Sequence, residues 1–196
     1  MEKYSGICRF ILSCNYSSKI IDPIQSRCAV FKFRHLSDSE ISGFLQRIVE
    51  SEGIQIDDDA MEALVGIARG DMRRAVNSLQ VAASLGRRID ADLIYQTAGH
   101  ANPESIRDII MIAMGGDFVG AKDRLASTME EYGLAGQDVI GQIHSQIFYL
   151  DVSDYEKVRL LDKVGECEFR IVEGSNERIQ LEWLIASMAL IGGNLK

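Results

Sequence analysis

Two periodicities of apolar and polar positions divide the chain. Residues 9–14 form a short run that fits a buried sheet, and residues 29–33 alternate, with Ala29, Phe31 and Phe33 on one face and Val30 and Lys32 on the other. Both read as strands. The polar run 15–18 breaks the first, and residues 18–24 predict a short helical turn stopped by Pro23. From Ser37 the period becomes that of a helix. Ser37 and Glu40 make a capping box, and Ile41, Phe44, Leu45, Ile48 and Val49 mark one apolar face up to Gly53. A second helix starts in the acidic run Asp57, Asp58, Asp59 and carries Met61, Leu64, Val65 and Ala68 to a stop near Gly70. The third begins at Asp71, turns Met72, Ala75, Val76, Leu79 and Ala82 inward and ends at Gly86. A shorter one, capped by Asp90, carries Leu93, Ile94 and Ala98.

The turn formers at residues 99–103 are the clearest linker. Beyond it the pattern predicts helices over 104–114, 118–132, 138–150, 155–172 and 177–191. Faces such as Ile140, Ile143, Ile147 and Leu150 are wide enough for bundle packing. The last helix, with Leu181, Leu184, Ile185, Met188, Ala189 and Ile191, is more apolar than a lone surface helix needs, which predicts burial between subunits. The fold class expected is mainly α, with about two strands at the front. Two strands are too little sheet to be stable alone.

Composition narrows the picture. The apolar runs are short and interrupted by charges, and the opening residues lack a signal-peptide pattern, so a soluble, intracellular protein is expected, cytoplasmic or nuclear, with no membrane partner. Net charge is −8 but unevenly spread. Residues 1–35 hold six Lys/Arg against two Asp/Glu, 36–100 six against eleven, and 101–196 nine against sixteen. A basic front suits a surface facing phosphates, whereas the acidic remainder argues against DNA wrapping the whole chain. Cys8, Cys14, Cys28 and Cys167 lack zinc-site spacing and read as buried free thiols, so no metal site is expected.

Three positions carry candidate chemistry. Asn15 sits just beyond the first strand, where an amide can orient an attacking water; alternatively it only turns the chain. Arg27, in Gln25-Ser26-Arg27-Cys28, presents a guanidinium on a short connection, suited to phosphate oxygens or to a surface ion pair. Arg73 and Arg74 occupy the first turn of a helix opened by Gly70 and Asp71, where cations oppose the helix dipole. An external anion would relieve that conflict; so would pairing with Asp71 or with the run Asp57, Asp58, Asp59. Arg74 could simply face solvent. His35, His100 and His144 form no constellation and read as structural or solvent exposed. No Ser, Cys or Asp has an activating partner in the sequence.

The run from Phe10 through Asn15 to Ser26-Arg27-Cys28, together with Gly70-Asp71-Met72-Arg73-Arg74-Ala75, resembles the sensor 1, Ser-Arg-Cys and sensor 2 motifs of AAA+ clamp loaders, closest to replication factor C small subunits. The late runs at 165–170 and 173–181 resemble that family specifically. The resemblance implies that 1–35 is the end of an AAA+ ATPase core, 36–100 a helical lid and 101–196 a helical collar for oligomerisation. It implies that Asn15 is sensor 1, Arg27 a trans-acting arginine finger, and Arg73 the sensor 2 contact to the ATP γ-phosphate. It also implies ATP and Mg²⁺ as cofactors of the complete protein, and small and large clamp-loader subunits, a sliding clamp and primer-template DNA as partners. The chain contains no G-x-x-x-x-G-K-[ST] loop and no apolar strand ending in paired acids, so tight nucleotide binding or hydrolysis by this chain alone is not expected. Two further readings stand beside this one: a non-catalytic oligomerisation scaffold, and another clamp-loader-related AAA+ protein.

Overall fold

A computed structural model describes residues 6–193, which divide into a leading unit up to Arg34 and a helical unit from His35 onward. No helix of the described residues is long and apolar enough to cross a membrane.

In the leading unit, a 3₁₀ turn at Ser17–Lys19 is followed by the short helix α1, Asp22–Gln25. Pro23 lies in the first turn of α1 and starts the helix rather than stopping it, because its missing N–H falls where no intrahelical partner exists. The two predicted strands are not formed: residues 9–14 and 29–33 carry no ladder. Their side chains are accordingly uncovered, with Ile11 and Phe33 each 95% exposed. A strand satisfies its backbone only through a neighbour, and no strand among the described residues offers an edge. Cys8 and Cys14 are therefore exposed rather than buried as their composition suggested; Cys28 is half-buried and Cys167 fully buried.

The helical unit holds two apolar clusters. The first is built by α2 (Asp38–Glu52), α3 (Asp58–Ala68), α4 (Met72–Ala83) and α5 (Ala91–Ala98), with Ile41, Leu45, Leu64, Leu79 and Ile94 almost fully buried. The capping box that starts α2 is present in both directions: Ser37 N–H donates to Glu40 Oε2 at 2.8 Å, and Glu40 N–H to Ser37 Oγ at 3.4 Å. Two loops are tied by a single parallel bridge between Ile56 and Ile89.

The second cluster is built by α6 (Pro103–Met114), α7 (Phe118–Tyr132), α8 (Gly136–Ile147), α9 (Asp154–Val172) and α10 (Glu177–Gly192). Tyr95 of α5 packs against both clusters. Helix α10 contacts α6, α7, α8 and α9, and Leu184, Ile185 and Met188 are wholly buried within the one chain. This corrects the expectation that these residues lie between subunits. The chain's own helices cover these three residues, while Ile179 and Leu190 of the same helix stay exposed. Its end approaches α6 so closely that a Cβ on Gly192 would overlap the carbonyl of Met114.

Candidate functional site

Asn15 is exposed in a bend directly before the 3₁₀ turn. The turn is fastened to α1 by Gln25, whose Nε2 donates to the carbonyls of Ser17 (2.9 Å) and Ile20 (2.6 Å). Just beyond, Ser26 and Arg27 continue as a turn, with Arg27 N–H donating to Ile24 O at 3.1 Å. The Arg27 guanidinium is exposed, and its Nη1 donates to Pro23 O at 2.7 Å. Asn15 and Arg27 thus share the leading unit, one on each side of this small knot.

Arg73 and Arg74 are brought onto the first turn of α4, as the sequence implied. The chain reaches it through two successive left-handed residues, Arg69 (φ 48°) and Gly70 (φ 85°). A Cβ on Gly70 would strike His35, so glycine is required there both for its backbone and for its space. Asp71 caps the helix, its Oδ1 accepting from the backbone N–H of Arg73 (2.9 Å) and of Arg74 (3.2 Å). Its carboxylate is therefore spent on the backbone. Of the acidic run the sequence also offered, Asp59 Oδ1 accepts from Ala60 N–H at 2.8 Å, and Asp57 Oδ1 accepts from Arg88 Nε at 2.6 Å and forms an ion pair with the same guanidinium. That contact raises the Arg88 pKa through the hydrogen bond and the charge of Asp57. Among the described residues no ion pair or side-chain hydrogen bond reaches the exposed Arg73 guanidinium.

Arg74 does not simply face solvent. Its Nη2 lies 2.6 Å from His100 Nε2, in the linker between the two clusters. His100 is half-buried, and its pKa is lowered first by burial and then by the charges of Arg74 and Arg69. One residue on, Ala101 N–H donates to Gln142 Oε1 of α8 at 2.9 Å. Gln142 is 93% buried (7% exposed) and its Nε2 has no partner, an arrangement that costs about 1–3 kcal/mol. Arg69, His100, Ala101 and Gln142 border a cleft of about 640 Å³ between α3 and α8. No signal in the sequence pointed to Gln142 or to His100, because each meets partners 26 to 41 positions away.

The outer face of α9 carries Tyr155, Val158, Phe169 and Val172, each 63–71% exposed and spaced to share one side of the helix. This stripe, and not the buried Leu184, Ile185 and Met188 of α10, is an apolar surface the second cluster presents outward; Phe148, Tyr149, Ile179 and Leu190 are exposed as well.

Comparison with known proteins finds matches to both clusters. A family model described as "RCF1/5-like, AAA+ ATPase lid domain" matches residues 43–84, within the first cluster, and "Replication factor C C-terminal domain" matches residues 101–187, within the second. The chain is 47% identical over 192 residues to the replication factor C small subunit of Methanocella arvoryzae, covering 98% of this chain and 60% of that relative. It is 50% identical over 190 residues to the protein of that name from Halobacterium salinarum, covering 97% of this chain and 59% of the relative. With the Pyrococcus furiosus protein it shares 48% over 192 residues, 98% of this chain and 22% of the relative. The chain thus spans about three-fifths of the first and second of these relatives, or less where the relative is longer. Two family models side by side, and near-half identity over almost every residue, show that this chain is similar throughout its length to replication factor C small subunits.

Proposed function

We propose that the chain supplies the lid, the collar and a trans-acting arginine to a clamp loader that uses ATP to place a sliding clamp on primer-template DNA. Residues 1–35 end the ATPase core, 36–100 form the lid and 101–196 the collar. Arg73 is the sensor 2 residue, meeting the γ-phosphate of ATP in its own subunit. Asn15 is sensor 1, orienting the attacking water. Arg27 reaches a neighbour's site and stabilises the charge of phosphoryl transfer. The observation that carries the reading is the Arg73 guanidinium: it is exposed at the positive end of α4, with the Asp71 carboxylate taken by the helix cap and Asp57 by Arg88. A cation so placed is stabilised by an incoming phosphate.

Arg73 offers a single cationic contact to a phosphate, and Asn15 a single amide. One guanidinium and one amide do not replace a phosphate-cradling loop, so ATP and Mg²⁺ are held only when the remaining elements are supplied, and this chain alone does not hydrolyse ATP. Assembly with small and large subunits runs through the collar, and the α9 stripe is the surface that supports it.

The test is reconstitution with subunits that carry complete nucleotide sites. Mixing should raise their ATPase activity, and Arg27→Ala should abolish most of the gain, by roughly 10³-fold if it acts as a full arginine finger. Phe169→Ser should weaken assembly without unfolding the chain. Stimulation that survives Arg27→Ala unchanged would leave the chain as an oligomerisation scaffold, the second reading, which the α9 stripe also supports.

A further inference from the structure

The linker at residues 99–103 receives contacts from both sides. Arg74 Nη2 meets His100 Nε2 at 2.6 Å. A guanidinium only donates, so Nε2 is the acceptor and the neutral ring carries its proton on Nδ1. The next residue, Ala101, donates its N–H to Gln142 Oε1 at 2.9 Å. That bond fixes the carboxamide, because the flipped amide would set two donors against each other. Alongside, Arg69 Nη2 donates to Ser145 Oγ of α8 at 3.0 Å. The first turn of α4 is therefore joined to α8 through Arg74, His100, Ala101 and Gln142, each step a hydrogen bond or one peptide unit.

We propose that Arg74 and His100 are positioning residues forming a latch, which couples the start of α4 to the collar helix α8 so that a phosphate engaged by Arg73 is felt in the collar. The second half of this statement rests on the reading of Arg73 given above; the latch itself rests only on the hydrogen bonds. Helix α4 carries both arginines at its N-terminus, so any shift of Arg73 toward an anion moves Arg74 with it. The displacement then passes to the linker, and from the linker to a side chain buried in α8.

The latch holds only while His100 is neutral. The charged groups facing the ring are Arg74 and Arg69 from the lid and Asp138 from α8; burial and the two arginines outweigh the carboxylate. Protonation would leave two donors opposed, and the contact would open. Because the folded pKa is lowered from 6.5, the contribution of neutral His100 is fully present above that value and lost as pH falls through the lower folded one.

Hydrogen exchange on the full chain tests the latch. At pH 7.5 Arg74→Ala and His100→Ala should each lower protection at Ala101 about tenfold, the double variant no further. His100→Gln keeps an acceptor without titrating, so it should retain protection and remove the loss the wild type shows in acid. Additive losses, or an acid profile unchanged in His100→Gln, would overturn the latch. In the assembled complex, a non-hydrolysable ATP analogue should raise protection at Ala101 in the wild type but not in Arg74→Ala. Equal effects in both would overturn the coupling while sparing Arg73. Silence in the wild type, with the acid profile intact, would overturn the Arg73 reading while sparing the latch.

Discussion

Residues 6–34 and residues 35–193 are both rich in large apolar side chains, yet they treat them oppositely. Phe31 and Phe33 are 80% and 95% exposed, whereas Ile41, Leu45, Ile106 and Leu184 are 0% exposed. The difference lies in where backbone hydrogen bonds close. A helix satisfies its own backbone and needs only one or two neighbours to cover an apolar face, and α2 to α10 supply those neighbours to each other. A strand depends on an adjacent strand for its hydrogen bonds and on a further layer for its face. The leading segments find neither among the described residues, and only the locally bonded turn and α1 take regular form.

The widest separation between the two regions should appear on truncating a large side chain. Leu184→Ala should destabilise the chain by about 2–5 kcal/mol, while Ile11→Ala should change stability by no more than about 0.5 kcal/mol. Urea unfolding followed by Trp183 fluorescence measures both, and a loss of several kcal/mol at Ile11 would show that the leading unit has a covered core. Gly192→Ala comes next, at about 1–3 kcal/mol, since a methyl group there meets the Met114 carbonyl where α10 crosses α6. Asp71→Ala should cost about 1 kcal/mol by removing the α4 cap, and it should loosen the turn that presents Arg73. Calorimetry separates these from a silent change.

The smallest effect in stability gives a sharp contrast in chemistry. Exposed Cys8 and Cys14 should react promptly with a thiol reagent at pH 8, whereas burial pushes the Cys167 thiol up to about 11 and closes access to it. Prompt labelling of Cys167 in the folded chain would show that the collar core opens readily.

Much of the helical unit was legible before any coordinates. The Ser37 and Glu40 box, the left-handed glycines Gly53, Gly99 and Gly133, and the caps at Asp71 and Asp90 act within a few residues of themselves, so local sequence places the helix ends they govern. The box of Ser153 with Glu156, which the sequence reading did not single out, starts α9 at Asp154, one residue ahead of the start predicted at 155. The motif residues Asn15, Arg27 and Arg73 were also visible, because they lie in short runs that resemble a family. Their surroundings were not.

By itself the sequence determined that this protein is mainly helical, that a linker of turn formers at residues 99–103 separates two helical regions, and which arginines stand at turn and helix start. Only the tertiary structure decided that Asp57 belongs to Arg88, that Arg74 reaches His100, that Gln142 accepts from Ala101, and that Leu184, Ile185 and Met188 are covered by their own chain. The physical reason is range. Caps, dipoles and periodicity act over one or two turns, while the partner of a side chain and the cover of an apolar face are fixed by the packing of helices far apart in sequence.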